Sequence, residues 1–130
     1  MRNKEELIKA FYDLAEERNA EHSENIRSKY IPDEDKSIKW NKEQELIFNK
    51  EKQEKHQQKK IEFFNKDYEL RKEVFQYYKE LYPFLNESGF QAAWSMAMDE
   101  NCYGYQAVFS ELERQLEFVE YFFNQGAFYI

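Results

Sequence analysis

The two histidines, His22 and His56, are the side chains best suited to acid–base or metal chemistry. Carboxylate-bridged dimetal bundles place a Glu three residues before each such His. Asn19 and Gln53 hold those positions, and a single cysteine cannot complete a zinc site built from Cys and His pairs. The sequence therefore predicts two polar histidines on helix surfaces and no bound metal.

Arg18 precedes His22 by one helical turn, so an α-helix would place both side chains on one face. A base beside a phosphate-binding cation is the combination that cleavage of RNA requires. Such pairs are common by chance in charged helices. We expect these two residues to lie on a solvated surface without a shared function.

Asp33, Asp35 and Ser37 alternate like the first ligands of a calcium-binding loop. That loop requires Gly at its sixth position and Glu at its twelfth, where this chain has Ile38 and Gln44. The pattern therefore predicts a capped turn at the start of a helix.

Cys102 has no general base near it in the sequence, and 3 Gly in total cannot supply a glycine-rich phosphate loop. A lone Cys between aromatic residues is typical of packing rather than of nucleophilic catalysis. We therefore expect no catalytic residue, no cofactor and no enzymatic activity.

The composition predicts an all-α fold. The 130 residues include 12 Phe, 10 Tyr and 2 Trp but only 3 Gly and 2 Pro. β-Sheets favour β-branched residues and hairpins favour Gly-containing turns, and both are scarce here. No apolar run approaches the roughly 18 residues of a membrane span, and the N-terminal residues do not resemble a signal peptide. The expected location is the reducing cytoplasm.

Apolar periodicity predicts helices on both sides of a long central one. The first is expected to begin at the cap Asn3 and to end before Pro32. A turn over 83–89, with Ser88 as the next cap, is expected to precede a short helix. The clearest amphipathic pattern predicts a last helix over about 104–124.

The central helix is expected to span about 37–82. Its apolar residues keep one seven-residue phase on both sides of the wholly polar segment 49–60, which favours a continuous helix. The residues in this phase are Trp40, Ile47, Glu54, Ile61, Tyr68, Phe75 and Tyr82. Such a helix would be about 69 Å long, whereas a compact chain of this length is only about 36 Å across. The helix is therefore predicted either to project as an arm or to be kinked within 49–60.

The expected fold class is thus an α-helical bundle with one long or kinked helix. We expect a single all-α domain over 1–130. The alternative is an N-terminal helical arm over 1–60 beside an aromatic C-terminal bundle over 61–130.

The net charge of −7 is unevenly distributed along the chain. Residues 1–35 carry −4, residues 36–60 carry +4, and residues 86–130 carry −6 with Arg114 as their only base. Two acidic ends flanking a basic segment favour contacts with charged partners.

Two rows of like charge recur at helical spacing. The basic row comprises Lys52, Lys55 and Lys59, and the acidic row comprises Glu113, Glu117 and Glu120. Each row is explained either as a solvated helix face or as a binding surface. The basic row would contact an acidic protein or, weakly, nucleic acid, and the acidic row would contact a basic protein surface.

The helix from 61 to 82 is apolar around more than half of its circumference, whereas a surface helix needs an apolar stripe of only about 100°. It is therefore either the central rod of the bundle or it also faces another molecule. Tyrosine suits contacts that are both apolar and wet. The tyrosines that would anchor a partner are Tyr68, Tyr77, Tyr78 and Tyr82.

These patterns favour a protein-binding helical module. The specific hypothesis is a small acidic inhibitor, of the kind that phages and mobile elements direct at bacterial machines or defence nucleases, that blocks a basic surface of its target. One alternative is a coiled-coil adaptor or structural homodimer that pairs through 37–60. Another is a weak nucleic-acid binder that uses the basic row.

Overall fold

The structure is a computed structural model that describes residues 2–100 and 104–124, with the side chains of 2–99 and 104–121. It contains four α-helices and, among the described residues, no strand. They are α1 (Lys4–Arg27), α2 (Ile38–Leu81), α3 (Glu87–Glu100) and α4 (Tyr105–Asn124). The predicted all-α bundle with one long helix is confirmed. The expectation for Cys102 lies outside the described residues.

α1 begins with a reciprocal cap at Asn3. The Asn3 side-chain oxygen accepts a hydrogen bond from the Glu6 amide at 2.9 Å, and the Asn3 amide donates to the Glu6 carboxylate at 3.2 Å. These bonds satisfy two amides that have no partner inside the helix. The predicted start is confirmed, and α1 ends at Arg27, ahead of Pro32 as expected.

The connection between α1 and α2 is held by Asn41, which lies in the first turn of α2. Its side-chain oxygen accepts from the Asp33 amide at 2.9 Å and from the Tyr30 hydroxyl at 2.8 Å. Its amide group donates to the backbone oxygens of Asp33 at 2.9 Å and Ser37 at 3.1 Å. The Ser37 hydroxyl accepts from the Trp40 amide at 3.1 Å, so the predicted capped turn is present.

α2 runs through the polar segment 49–60 without a break, as a single helix of 44 residues. At 1.5 Å per residue its axis is about 66 Å long. The sequence left a break in this segment open, and the structure shows a continuous helix because every residue there tolerates helical geometry and neither Gly nor Pro interrupts it.

α3 begins earlier than predicted and uses a different cap. The Gly89 amide donates to the Asn86 side-chain oxygen at 2.7 Å, so Asn86 and not Ser88 caps the helix. Lys79 closes the preceding turn by donating to the backbone oxygens of Pro83 at 2.6 Å and Leu85 at 2.5 Å. These two bonds tie the last turn of α2 to the residues that lead into the cap of α3.

α4 begins directly after Gly104, whose φ of 125° lies in a region that L side chains rarely adopt. A Cβ at this position would also overlap the Tyr12 hydroxyl, and it would lie 3.3 Å from Tyr12 Cζ. Both the backbone conformation and the close approach of Tyr12 therefore require glycine here.

The chain divides into two compact units. Unit 1 comprises Met1–Tyr12 and Glu69–Ile130, and unit 2 comprises Asp13–Tyr68. Unit 1 thus combines the start of α1, the end of α2, α3 and α4. Unit 2 is a hairpin formed by the rest of α1 and α2.

Unit 1 has an aromatic core. Phe11 stacks on Tyr105 with ring centroids 4.8 Å apart and lies 5.4 Å from Trp94. Phe109 is fully buried, with its ring edge-on to Trp94 at 5.8 Å. The aliphatic and small residues around these rings are Leu7, Leu70, Val74, Leu85, Ala93, Ala97, Val108, Leu112 and Leu116. Offset and edge-on aromatic pairs of this kind contribute roughly 0.5–1.5 kcal/mol each beyond their burial.

Unit 2 has little buried apolar surface. Leu14 is its only buried hydrophobic side chain among the described residues, at 6% exposure. Polar contacts join the two arms of the hairpin instead: Lys66 pairs with Glu17 at 2.9 Å, and Lys52 donates to the backbone oxygen of Ser28, the residue after α1, at 2.6 Å. None of the helices in the described part of the chain is long and apolar enough to cross a membrane.

Candidate functional site

Tyr78 and Glu113, both predicted to bind a partner, bond to each other inside unit 1. Tyr78 is 1% exposed, and its hydroxyl donates to the Glu113 carboxylate at 2.7 Å. The same carboxylate pairs with Lys4 at 2.7 Å. Burial, followed by the bond to Glu113, raises the pKa of the Tyr78 phenol far above its ordinary value. This contact uses Glu113 internally and leaves Tyr78 no surface to offer another molecule.

Glu117 and Glu120, the rest of the predicted acidic row, lie near enough to Tyr82, the residue that follows α2, for their charges to act on its phenol. Burial raises the pKa of the Tyr82 phenol, and the negative charges of Glu117, Glu120 and Glu113 raise it further, in that order. The carboxylates therefore produce a negative potential at the half-buried tyrosine. The structure brings one predicted tyrosine and two predicted glutamates together.

Two aromatic side chains that the sequence did not single out lie beside these carboxylates on α4. Phe118 is 62% exposed and Tyr121 is 59% exposed. Phe118 also lines a shallow depression of about 460 Å³ with Arg114, Gln115 and Glu117. We call the set Tyr82, Glu117, Phe118, Glu120 and Tyr121 the acidic surface. Its aromatic members could have been found from the sequence, because α4 has more apolar residues than one buried face requires.

The two remaining predicted tyrosines lie apart from this surface. Tyr77 is half-buried, and its ring packs edge-on against Tyr78 with centroids 5.0 Å apart. Tyr68 is 44% exposed and is the last residue of unit 2. The excess apolar content of the helix from 61 to 82 is thus divided: its second half forms the core of unit 1, and its first half is exposed.

The basic row faces α1 within unit 2. Lys52 is half-buried and bonds to Ser28, and Lys59 pairs with Glu62 at 3.4 Å. Lys52 and Lys55 line a depression of about 240 Å³ together with acidic residues of α1, among them Glu21 and Glu24. The positive charge of α2 is therefore largely offset by the acidic helix it packs against, so the row does not form a continuous surface for phosphates.

A groove with two aromatic side chains in its lining lies within unit 2, between α1 and α2, and we call it the α1–α2 groove. Its volume is about 440 Å³. The residues that line it are Arg18, Asn19, Glu21, His22, His56, Lys59, Lys60, Phe63, Phe64 and Asp67. Both histidines of the chain therefore meet in one groove, which the sequence did not predict because they lie on different helices.

An exposed apolar stripe follows α2 and borders the α1–α2 groove at Phe64. Its members lie within about 100° of the helix circumference, at 3.6 residues per turn. They are Leu46, Ile47, Ile61, Phe64 and Tyr68, with exposures of 71%, 50%, 61%, 64% and 44%. We call this stripe the outer face of α2. It retains the seven-residue phase seen in the sequence.

No group of three or more His, Cys, Asp and Glu side chains in the described part of the chain is placed to hold a metal ion. Comparison of the chain with protein-family models, with curated proteins and with solved structures finds no match.

Proposed function

We propose that the protein is a helical protein-binding module and that its acidic surface binds a basic surface of another protein. Two observations carry this proposal: the negative charges of Glu117 and Glu120 act on Tyr82, and the same helix as these carboxylates exposes the rings of Phe118 and Tyr121. Exposed aromatic rings supply contact area at low entropic cost, and the carboxylates supply orientation and a fast encounter with a cationic partner.

The distribution of charge between the two units supports a basic partner for unit 1. Unit 2 (13–68) carries 12 basic and 14 acidic side chains, a net charge of −2. Unit 1 (1–12 and 69–130) carries 7 basic and 12 acidic side chains, a net charge of −5. The negative charge of α1 in unit 2 is largely offset by the basic residues of the same hairpin, whereas the negative charge of the acidic surface in unit 1 is not offset in this way.

An inhibitor would use the acidic surface by occupying a groove in which its target otherwise holds phosphates. Binding would then depend on salt and would compete with nucleic acid for the same groove. This inhibitory role, directed at a bacterial machine or a defence nuclease, is our proposal for the biological use of the surface.

The test is calorimetric titration of the full chain with a helical peptide that bears a row of lysines and a row of leucines. We expect the double variant Glu117→Gln/Glu120→Gln, and separately Phe118→Ala, to weaken binding about tenfold. The matched control is Glu43→Gln/Glu45→Gln, which removes the same charge from exposed positions of unit 2. Equal weakening by both double variants would show that the peptide responds to net charge alone, and would refute the proposed surface.

Glu113 is left unchanged in this test because its substitution would disturb the bonds to Tyr78 and Lys4. A natural partner is then sought by affinity capture with the wild type and with Glu117→Gln/Glu120→Gln. A captured protein supports the proposal only if, once purified, it binds the wild type and the control variant and loses affinity for Glu117→Gln/Glu120→Gln.

A second function, a structural or adaptor homodimer, is favoured by the outer face of α2. Two pairs of exposed apolar residues flank the polar segment 49–60: Leu46 and Ile47 precede it, and Ile61 and Phe64 follow it. Two antiparallel copies related by a two-fold axis near Glu54 would place each apolar pair opposite the other. Such pairing would bury the apolar surface that unit 2 leaves exposed.

Light scattering coupled to size exclusion tests the homodimer. We expect twice the chain mass of 16.1 kDa for the wild type and the chain mass itself for Leu46→Glu/Ile61→Glu. Leu81→Glu, at an equally exposed apolar position of unit 1, is the control and should remain a dimer. A wild type that stays monomeric at high concentration would exclude the homodimer and would leave the acidic surface untouched.

A further inference from the structure

We propose that the α1–α2 groove is a nucleotide-binding site, in which Arg18 and Lys60 hold a phosphate and Phe64 stacks on the base. The site lies wholly within unit 2 and shares no residue with the acidic surface. Its volume of about 440 Å³ falls in the range of small-molecule pockets.

The cations of the groove differ in what they contact. Lys59 pairs with Glu62 at 3.4 Å. Arg18 and Lys60, by contrast, have no ion pair with any residue that the structure describes, and both are exposed at the groove. Two cations from facing helices, without carboxylate partners, provide the charge and the hydrogen-bond donors that a phosphate needs.

The aromatic wall distinguishes this groove from a simple anion site. Lys66 lies over the ring of Phe63 at 5.7 Å from its centroid, so Phe63 is already in contact with a cation. The ring of Phe64 is 64% exposed at the groove. An exposed aromatic ring beside phosphate-binding cations is the arrangement that proteins use to stack nucleobases.

The remaining polar groups of the groove suit the hydroxyl and amino groups of a nucleotide. Nδ1 of His56 is buried and makes no hydrogen bond to any described residue. The Glu21 carboxylate can accept hydrogen bonds from ribose hydroxyls or a base amino group. A ligand that carries phosphate, ribose and base therefore matches the cations, the carboxylate and the ring at once, whereas an inorganic anion matches the cations alone.

The experiment is calorimetric titration of the full chain with AMP, and in parallel with adenosine and with inorganic phosphate. We expect AMP to bind one site more tightly than either fragment. Arg18→Gln and Lys60→Gln should each weaken AMP binding about tenfold, and Phe64→Ala should weaken it about fivefold or more. Retention of the wild-type circular dichroism spectrum checks that these exposed substitutions leave the fold intact.

Two controls match these variants in charge and in exposure. Lys42→Gln removes one exposed positive charge of α2 outside the groove, and Ile61→Ala truncates an apolar side chain that is 61% exposed but does not line the groove. Both should leave AMP affinity unchanged. No AMP binding at millimolar concentration, or equal losses in variants and controls, would overturn the proposal. So would inorganic phosphate that binds as tightly as AMP.

A short oligoadenylate distinguishes a free nucleotide from a nucleotide within a single strand, since both present the same phosphate and base. If the oligoadenylate binds more than about tenfold more tightly than AMP, and its affinity falls steeply with salt, the natural ligand is a single strand. Affinity equal to that of AMP would identify a free nucleotide. Glu117→Gln/Glu120→Gln should not alter either result, so the groove and the acidic surface are tested independently.

Discussion

The bond between Tyr78 and Glu113 gives the sharpest test of the packing of unit 1, by the substitution Tyr78→Phe. The ring stays in place, but the hydroxyl that donates to Glu113 at 2.7 Å is lost. A hydrogen bond to a charged group contributes about 1.5–3 kcal/mol. Glu113 keeps its pair with Lys4 and is 31% exposed in its side chain, so water can replace part of the loss. We therefore expect a destabilisation of about 1–2 kcal/mol.

Urea unfolding monitored by circular dichroism measures this change in the free energy of unfolding. Thermal unfolding should show a lower midpoint, by about 3–5 °C per kcal/mol for a chain of this size. The matched control is Tyr77→Phe, because Tyr77 is only half-buried and its hydroxyl makes no hydrogen bond to a described residue. Its stability should stay within about 0.5 kcal/mol of the wild type.

A double-mutant cycle with Glu113→Gln then isolates the pair. We expect the effects of Tyr78→Phe and Glu113→Gln to be non-additive by about 1 kcal/mol, because the first change removes the donor of this bond and the second removes the charge that strengthens it. Additive effects, or a Tyr78→Phe variant as stable as the Tyr77→Phe control, would refute the internal role of Glu113. Glu113 would then return to the candidate partner-binding residues.

Three further predictions concern Gly104, the cap of α3 and the phenol of Tyr78. Gly104→Ala should destabilise the protein by about 1–3 kcal/mol in urea unfolding, because the backbone there has a positive φ and Tyr12 leaves no room for a Cβ. Asn86→Ala should cost about 1 kcal/mol while Ser88→Ala costs almost nothing, and the reverse order would contradict the cap assigned to α3. Because folding raises the pKa of Tyr78, its stabilising contribution is complete below the unfolded pKa of about 10 and is lost as pH rises further. Urea unfolding should be measured between about pH 8 and about pH 11, a range that contains the ordinary phenol pKa of about 10. The free energy of unfolding should fall less at alkaline pH for Tyr78→Phe than for the wild type, and parallel curves would argue against the raised pKa of Tyr78.

Local patterns predicted the helices well where their causes lie within a few residues. The cap at Asn3 and the end of α1 ahead of Pro32 depend on neighbouring backbone groups, and the sequence states them directly. The continuity of α2 was indicated by the seven-residue apolar phase from Trp40 to Tyr82, which only Glu54 interrupts. The cap of α3 was missed because Asn86 and Ser88 are both good cap residues, and their types alone do not decide between them.

The candidate sites were predictable only in part. The acidic row and the tyrosines were identified by type and spacing, but the sequence could not state that Glu113 and Tyr78 would bond to each other, since they are 35 residues apart. The apolar excess of α4 signals exposed rings, but Phe118 and Tyr121 were not singled out because an amphipathic pattern does not show how wide a face the neighbouring helices cover. The groove was missed because its members belong to two helices, although Arg18 and His22 were noted as a pair.

The sequence by itself determined the fold class, the four helices and the uneven charge, because helix propensity, capping and apolar period act over distances of a few residues. Only the tertiary structure decided which charged side chains and aromatic rings remain exposed and can contact another molecule. It packed the basic segment of α2 beside the acidic α1, placed Tyr78 in the core and left Glu117 exposed. The physical reason is that burial and ion pairing depend on contacts between helices distant in sequence, and these contacts form only when the whole chain has packed.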